Sequence, residues 1–308
     1  MNSTHPAELK PTISVRKRVK RFLRPFVQRC LSPKSVQSLR FLEWYIAYYL
    51  VHLVSSKFTR RAPHVRRFGK TLTPSIGERL QNVNVVHPTE MCRVMTKLGS
   101  DKGSNKYTTL YSALFNDRRR EPLRILELGL GSNNLNVLSN MGVFGAPGAS
   151  HRGWRQLFPH ALIYGADIDR GILFEEERIK TFYCDQLDRN SIDKLWSHPE
   201  LRDGADIIIE DGLHTFDANI SFLEGSLQHL RPGGIYVIED IGWDTFEKWY
   251  DRLQNTYAKQ FSDYEFAFAV LSERGHNNIL AIRRPENSAV APSSPNPQVS
   301  EVAGSVAG

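Results

Sequence analysis

Three acids and a histidine frame the chemistry open to this sequence. Asp211 follows the apolar run Ala205-Asp-Ile-Ile-Ile-Glu210, Glu239-Asp240 follows Ile235-Tyr-Val-Ile238, and His214 comes three residues after Asp211. If both runs are neighbouring strands, Asp211, Glu239 and Asp240 converge on one point. Unpaired carboxylates so placed would repel and resist desolvation, and a hard divalent cation resolves the conflict. All-oxygen ligation points to Mg2+, with Mn2+ as a substitute. A hydroxyl bound to such an ion is acidified, and an imidazole such as His214 can take its proton near neutral pH. Each residue also has a structural reading: Asp211 as a helix cap, His214 as a surface histidine, Glu239-Asp240 as a solvated strand end.

The elements that must position these groups are strands alternating with helices. Arg124-Ile-Leu-Glu-Leu-Gly-Leu-Gly131 reads as a buried strand running into a glycine loop, the arrangement that lets a nucleotide-like cofactor press against backbone. A tight strand-to-helix turn without a ligand is the plainer alternative, and Asn134 stands where a dinucleotide fingerprint would have its third glycine. Ala161 to Asp167 reads as a second strand, whose terminal acid could hold two ribose hydroxyls or cap the next helix. Ile179 to Cys184 is a third, followed by Asp185-Gln186, polar groups suited to an adenine edge. Helices are expected over Glu90–Leu98, Tyr107–Phe115, Ser150–Phe158, Phe216–Leu230 and Trp243–Gln260. Tyr264–Leu271 and Asn278–Arg283 read as a closing antiparallel pair with a turn at Arg274-Gly275. The expectation is an α/β fold: a mostly parallel, Rossmann-like sheet with an antiparallel C-terminal strand and helices on both faces.

Composition supports a core and locates the charge. The 308 residues are 41% hydrophobic, and the formal net charge of +7 is unevenly spread. Residues 1–70 hold sixteen Lys/Arg against Glu8 and Glu43, so the remainder is net negative and nucleic-acid binding over the whole domain is disfavoured. Val15 to Arg29 alternates cations with apolar residues, and Phe41 to Val54 is almost wholly apolar, as in a helical extension that lies on an anionic membrane surface. A partner-facing helix with a solvated basic leader fits equally. At fourteen residues the apolar segment falls short of the ~20 that a membrane span needs. Residues 1–61 are read as this extension, 62–87 as a linker, 88–284 as the catalytic domain and 285–308 as a disordered tail. Three cysteines without a CxxC pair fit the reducing cytoplasm, with contact at the inner face of the membrane.

Taken together, these pieces resemble a known family. Gly99-Ser-Asp-Lys-Gly103 with Tyr107-Thr108, Glu127-Leu-Gly-Leu-Gly131, Pro147-Gly-Ala-Ser150, Tyr164-Gly-Ala-Asp-Ile-Asp169, Asp185-Gln186, Glu210-Asp-Gly-Leu-His214 and Arg231-Pro-Gly-Gly-Ile-Tyr-Val-Ile-Glu-Asp240 are similar to the class I S-adenosylmethionine-dependent methyltransferases. The match is to the metal-dependent O-methyltransferases of macrolide and rhamnosyl sugars, a group often labelled cephalosporin hydroxylase-like, and covers about three-fifths of the chain. The resemblance implies a donor site in which Glu127, Gly129 and Gly131 approach the methionine moiety, Asp167 the ribose, and Asp185 and Gln186 the adenine, with Tyr107 and Thr108 nearby. It further implies Asp211, Glu239 and Asp240 as Mg2+ ligands, His214 as the base, and a sugar-bearing acceptor: a glycan, a lipid-linked oligosaccharide or a glycosylated metabolite. Self-association is left open.

Three other readings compete. A nucleotide-sugar glycosyltransferase would use Asp167 and Asp169 as its metal-binding acids but leaves Glu239, Asp240 and His214 without work. A nicotinamide dehydrogenase lacks its third glycine. A catalytically silent, membrane-tethered adaptor would keep the fold and use only the basic N-terminus.

Overall fold

A computed structural model describes residues 59–142, 145–273 and 275–287. The basic and apolar N-terminal extension and most of the C-terminal tail lie outside these residues.

The centre is one nine-stranded sheet. Its strands are β1 (Thr59–Gly69), β2 (Arg124–Leu128), β3 (Leu162–Asp167), β4 (Glu175–Glu176), β5 (Ile179–Tyr183), β6 (Ala205–Glu210), β7 (Leu230–Ile238), β8 (Glu265–Ser272) and β9 (Ile279–Arg283), in the order β1-β8-β9-β7-β6-β2-β3-β5-β4. β7, β6, β2, β3 and β5 run parallel. Every residue of β6, β8 and β9 is buried, as expected of strands covered on both faces.

Pleating sorts side chains into two cores. Leu126, Ile208, Tyr236, Phe268 and Leu280 point to one face, where α5 (Arg189–Trp196), α6 (Phe216–Ser226) and α7 (Phe246–Arg252) supply Leu195, Leu223 and Trp249. Ile125, Ile207, Val237, Ala267 and Ala281 point to the other, met by α1 (Ile76–Gln81), α2 (Glu90–Leu98), α3 (Tyr107–Phe115) and α4 (Ala149–Leu157) through Leu80, Met95, Tyr111 and Trp154. Neighbours on one strand thus serve opposite layers, the period of two that a sheet imposes.

The sheet is more mixed than the expected mostly parallel one. Four of its eight pairings are antiparallel: β1 with β8, β8 with β9, β9 with β7, and β4 with β5. Parallel neighbours need a long crossover, whereas β4 and β5 are joined by only Glu177 and Arg178, the latter left-handed at φ 60°. The supposed linker over 62–87 contains most of β1 and all of α1. β7 begins at Leu230, so Arg231-Pro-Gly-Gly lies inside the strand, and the helix expected to reach Leu230 stops at Ser226.

Candidate active site

The parallel strands deliver their terminal residues side by side. Ladder hydrogen bonds continue one residue past the strands, from Asp211 N to Leu128 O at 2.9 Å and from Glu239 N to Glu210 O at 2.9 Å. Asp211 and Glu239 are therefore level with the end of β2. The chain then turns through left-handed residues, Asp240 at φ 52° and His214 at φ 59°. Non-glycine residues in this region are uncommon and are held there by their surroundings. For Asp240 the holding group is Tyr107, whose hydroxyl donates to Oδ1 at 2.6 Å and accepts from the backbone N at 3.2 Å. Behind His214, Thr215 caps α6 by accepting from Ala218 N.

Asp211, His214 and Asp240 come together. One ligand atom from each lies within 4.8 Å of the others, and the His214 Nε2 is 3.8 Å from both carboxylates. Two carboxylates and an imidazole are donors that fit a divalent ion. Burial would lower the His214 pKa, but Asp240, Asp211 and Glu210 outweigh it and hold the imidazole above its ordinary value. Its Nδ1 is buried without a hydrogen-bond partner among the described residues.

Glu239 takes a different place. Its carboxylate receives Lys102 Nζ at 2.8 Å and the Tyr111 hydroxyl, and its burial pushes its pKa well up. Lys102 also reaches Asp211 at 2.5 Å and Glu127 at 3.3 Å. Desolvation opposes the charge on this buried ammonium, yet Asp211, Glu127 and Glu239 outweigh it and hold its pKa well above the ordinary value. Glu127 is fully buried and additionally accepts from Ser150 Oγ at 2.7 Å and from the Trp154 indole. Sequence reasoning gave Lys102 no role, because a lysine in a Gly-Ser-Asp loop reads as solvated connection.

The glycine loop is shaped by its own protein neighbours. Gly129 has φ 98° and would bring a Cβ to 2.0 Å from Asp211 O; Gly131 has φ 79° and would meet Met141 Sδ at 2.3 Å. Asp167 accepts from Leu130 N at 2.7 Å and Asp169 N at 2.8 Å, which fixes the loop against β3, and burial raises its pKa. Asp169 accepts from Ser132 Oγ and Gly171 N, so both acids of the glycosyltransferase reading also fix local structure. Asp185 closes its own turn onto Leu187 N at 2.9 Å. Gln186 donates to Glu210 at 2.6 Å and accepts from Leu213 N at 2.8 Å, tying β5 to the loop that carries His214. Thr108 is buried, its hydroxyl on Cys92 Sγ and the Lys102 carbonyl. The structure thus groups Asp211, Glu239 and Glu127 around Lys102 and brings Asp211 together with His214 and Asp240, the last held by Tyr107. Asp167, Asp185 and Gln186 stand at neighbouring strand tips, while Thr108 lies behind the Lys102 turn.

Comparison with family models finds no match. Among curated proteins the chain is similar to demethylmacrocin O-methyltransferase of Streptomyces fradiae, 35% identical over 141 residues, which are 46% of this chain and 32% of that protein. It is similar also to mycinamicin VI 2''-O-methyltransferase of Micromonospora griseorubida, 35% identical over 142 residues, 46% of this chain and 32% of that one. A third relative, the 8-demethyl-8-alpha-L-rhamnosyl tetracenomycin-C 2'-O-methyltransferase of Streptomyces olivaceus, is 32% identical over 157 residues, 50% of this chain and 39% of its own. The matches span 32–39% of these relatives' length. Among solved structures, the MycE methyltransferase of the mycinamycin biosynthetic pathway, in complex with Mg and SAH, superimposes with a TM-score of 0.51 at 23% identity, over 66% of this chain and 57% of that one. The resemblance carried by the motifs therefore holds in sequence, and the fold is that of this methyltransferase.

Proposed function

We propose that the protein transfers a methyl group from S-adenosylmethionine to a sugar hydroxyl, with a divalent ion, Mg2+ or Mn2+, at the acid corner. The observation that carries this reading is the convergence of Asp211, His214 and Asp240 at the carboxyl edge of the sheet, beside the loop Gly129-Leu-Gly131. The sugar O-methyltransferases it resembles lend support, as does the Mg and SAH named for MycE. The acceptor belongs to the class of glycans, lipid-linked oligosaccharides and glycosylated metabolites.

In this mechanism Asp211 and Asp240 would hold the ion, and Glu239, bonded to Lys102 and Tyr111, would lie behind them. A divalent ion there would acidify an acceptor hydroxyl and orient it. His214 Nε2 is 3.8 Å from both carboxylates and hydrogen-bonded to neither, a position from which its neutral form would take the hydroxyl proton. Tyr107 keeps Asp240 in its turned conformation. Glu127, Gly129, Gly131 and Asp167 line the donor side, with Asp185 and Gln186 beyond them, while Tyr107 bonds Asp240 and Thr108 the Lys102 carbonyl. Methyl transfer is an in-line displacement, so alignment of donor, methyl and hydroxyl supplies much of the rate.

The test is labelled-methyl transfer into glycan and glycolipid fractions, with and without EDTA. His214→Ala is expected to abolish transfer while donor and metal binding persist; Asp211→Ala is expected to lose metal binding as well. Full transfer by either variant removes its assigned role. The geometry favours one second reading, His214 as a ligand, and loss of metal binding in His214→Ala would establish it. We further propose, from sequence alone, a cytoplasmic protein that touches the inner membrane face through its N-terminus. Removal of residues 1–58 should then release it from anionic vesicles, and unchanged sedimentation with them would refute that contact.

A further inference from the structure

His214 stands in a short loop whose backbone is pinned by buried side chains. The chain runs from Asp211, whose N bonds Leu128 O, to Thr215, which caps α6, and between them His214 takes the left-handed φ of 59°. A residue other than glycine keeps that conformation only where its surroundings enforce it. Two amides of the loop are bonded to side chains: Gly212 N donates to Glu210 at 3.2 Å and Leu213 N to Gln186 Oε1 at 2.8 Å. Gln186 in turn donates to one oxygen of Glu210 at 2.6 Å, and Asn219 of α6 donates to the other. All three side chains are buried, so water does little to compete for these bonds. Gln186 reaches this loop from a distant strand tip. β2 and β3 lie between β5 and β6 in the sheet, so no ladder joins the two loops, and the amide crosses the gap. Its own base is firm, with Asp188 N on Asp185 O at 3.2 Å and Asp185 N on Ser191 Oγ at 2.9 Å. At the receiving end Gly212 leaves room for it: a Cβ there would come within 2.1 Å of Gln186 Oε1.

We propose that Gln186 is a positioning residue which, bonded to Glu210 and to Leu213 N, sets where His214 stands beside Asp211 and Asp240. This rests on the methyltransferase reading and deepens it. A residue that reads an adenine edge would spend its amide on the donor, and its loss would show as weaker donor binding. A residue that aims His214 leaves donor binding alone and acts on the rate at saturating donor. Misplacement of a reacting group by about 1 Å can cost on the order of a hundredfold in rate.

The experiment compares the full chain with two variants. Gln186→Met keeps the length of the side chain and loses both bonds, whereas Gly212→Ala keeps Gln186 and pushes its amide off the loop. Calorimetric titration of S-adenosylhomocysteine reads the donor side, and hydrogen exchange over residues 211–215 reads the loop. Labelled-methyl transfer at saturating S-adenosylmethionine, into the glycan or glycolipid fraction that takes label, reads the reaction. Both variants are expected to bind S-adenosylhomocysteine within about twofold of wild type, to exchange faster over 211–215, and to transfer on the order of ten- to a hundredfold more slowly. If Gln186→Met does not fold, Gly212→Ala carries the test. Weaker S-adenosylhomocysteine binding in Gln186→Met, with transfer restored once the donor saturates, overturns the positioning role in favour of contact with the adenine. Transfer at the wild-type rate in both variants, even with a lowered melting temperature, overturns it in favour of a purely structural one. Either result leaves the methyltransferase reading intact. A wild-type chain that neither binds S-adenosylhomocysteine nor transfers label overturns the reading itself, and the inference with it.

Discussion

At Gly129 the backbone is left-handed, and an added Cβ would come within 2.0 Å of the Asp211 carbonyl oxygen. Gly129→Ala should cost about 2–4 kcal/mol of stability in urea denaturation, the sum of the left-handed penalty and the clash. It should also weaken Mg2+ binding, because relieving the clash moves the Asp211 backbone. His229 offers a pH prediction away from the site. It stacks on Trp196 with ring centroids 4.4 Å apart, and burial lowers its pKa from 6.5 to about 4. Above 6.5 the imidazole is neutral folded or unfolded and has no effect. Below 6.5 the unfolded chain takes up a proton that the folded chain does not, so stability falls until about pH 4 and then levels off. His229→Phe keeps the stack and should show a shallower loss of Tm across that window. The strand-tip positions of Asp211, Glu239 and Asp240 were legible in the sequence because acids that follow apolar runs mark where strands stop. Lys102 was not, since its partners Asp211 and Glu239 lie 109 and 137 residues away and only the tertiary fold brings them together. Gln186 was read as facing a base edge, and in the fold its amide donates to Glu210 and accepts from Leu213 N, partners 24 and 27 residues away that the sequence does not reveal.

Among the elements, α1 depends on a residue from the far end of the chain. The buried Glu265 in β8 accepts from Ser75 Oγ at 2.5 Å, from Gly77 N at 3.1 Å and from Ile76 N at 3.2 Å. Glu265→Gln replaces an acceptor pair with one acceptor and one donor, and should cost about 1–3 kcal/mol. Hydrogen exchange over residues 75–81 should rise while donor affinity stays at the wild-type level. The strands of the parallel centre were legible because they are short, apolar and followed by acids or glycine. β1 was not: its sequence Thr-Arg-Arg-Ala-Pro-His-Val-Arg-Arg-Phe-Gly is rich in arginine and carries a proline, and Val65 and Phe68 pack partway into the two cores. An edge strand needs little apolar surface, so its periodicity is faint, and charge on such a strand discourages pairing with another molecule. β4 is two residues long and leaves no pattern to read.

For the whole molecule, the charge asymmetry of the sequence and the acid-lined edge of the sheet belong to different regions. Among the described residues no helix is long and apolar enough to cross a membrane. The fold class was legible in the alternation of strands and helices, whereas the balance of parallel and antiparallel pairs was not, because pairing depends on which strand arrives at each edge. β1 has a consequence for biogenesis. It leaves the ribosome before any other strand of this sheet, yet its partner is β8, with Gly69 opposite Glu265. At roughly 5–20 residues per second, nearly two hundred residues must be translated before that partner emerges, a wait of about 10–40 seconds. A nascent chain stalled before residue 265 should therefore display its arginine-rich stretch to proteases, and one stalled well beyond residue 283 should have hidden it.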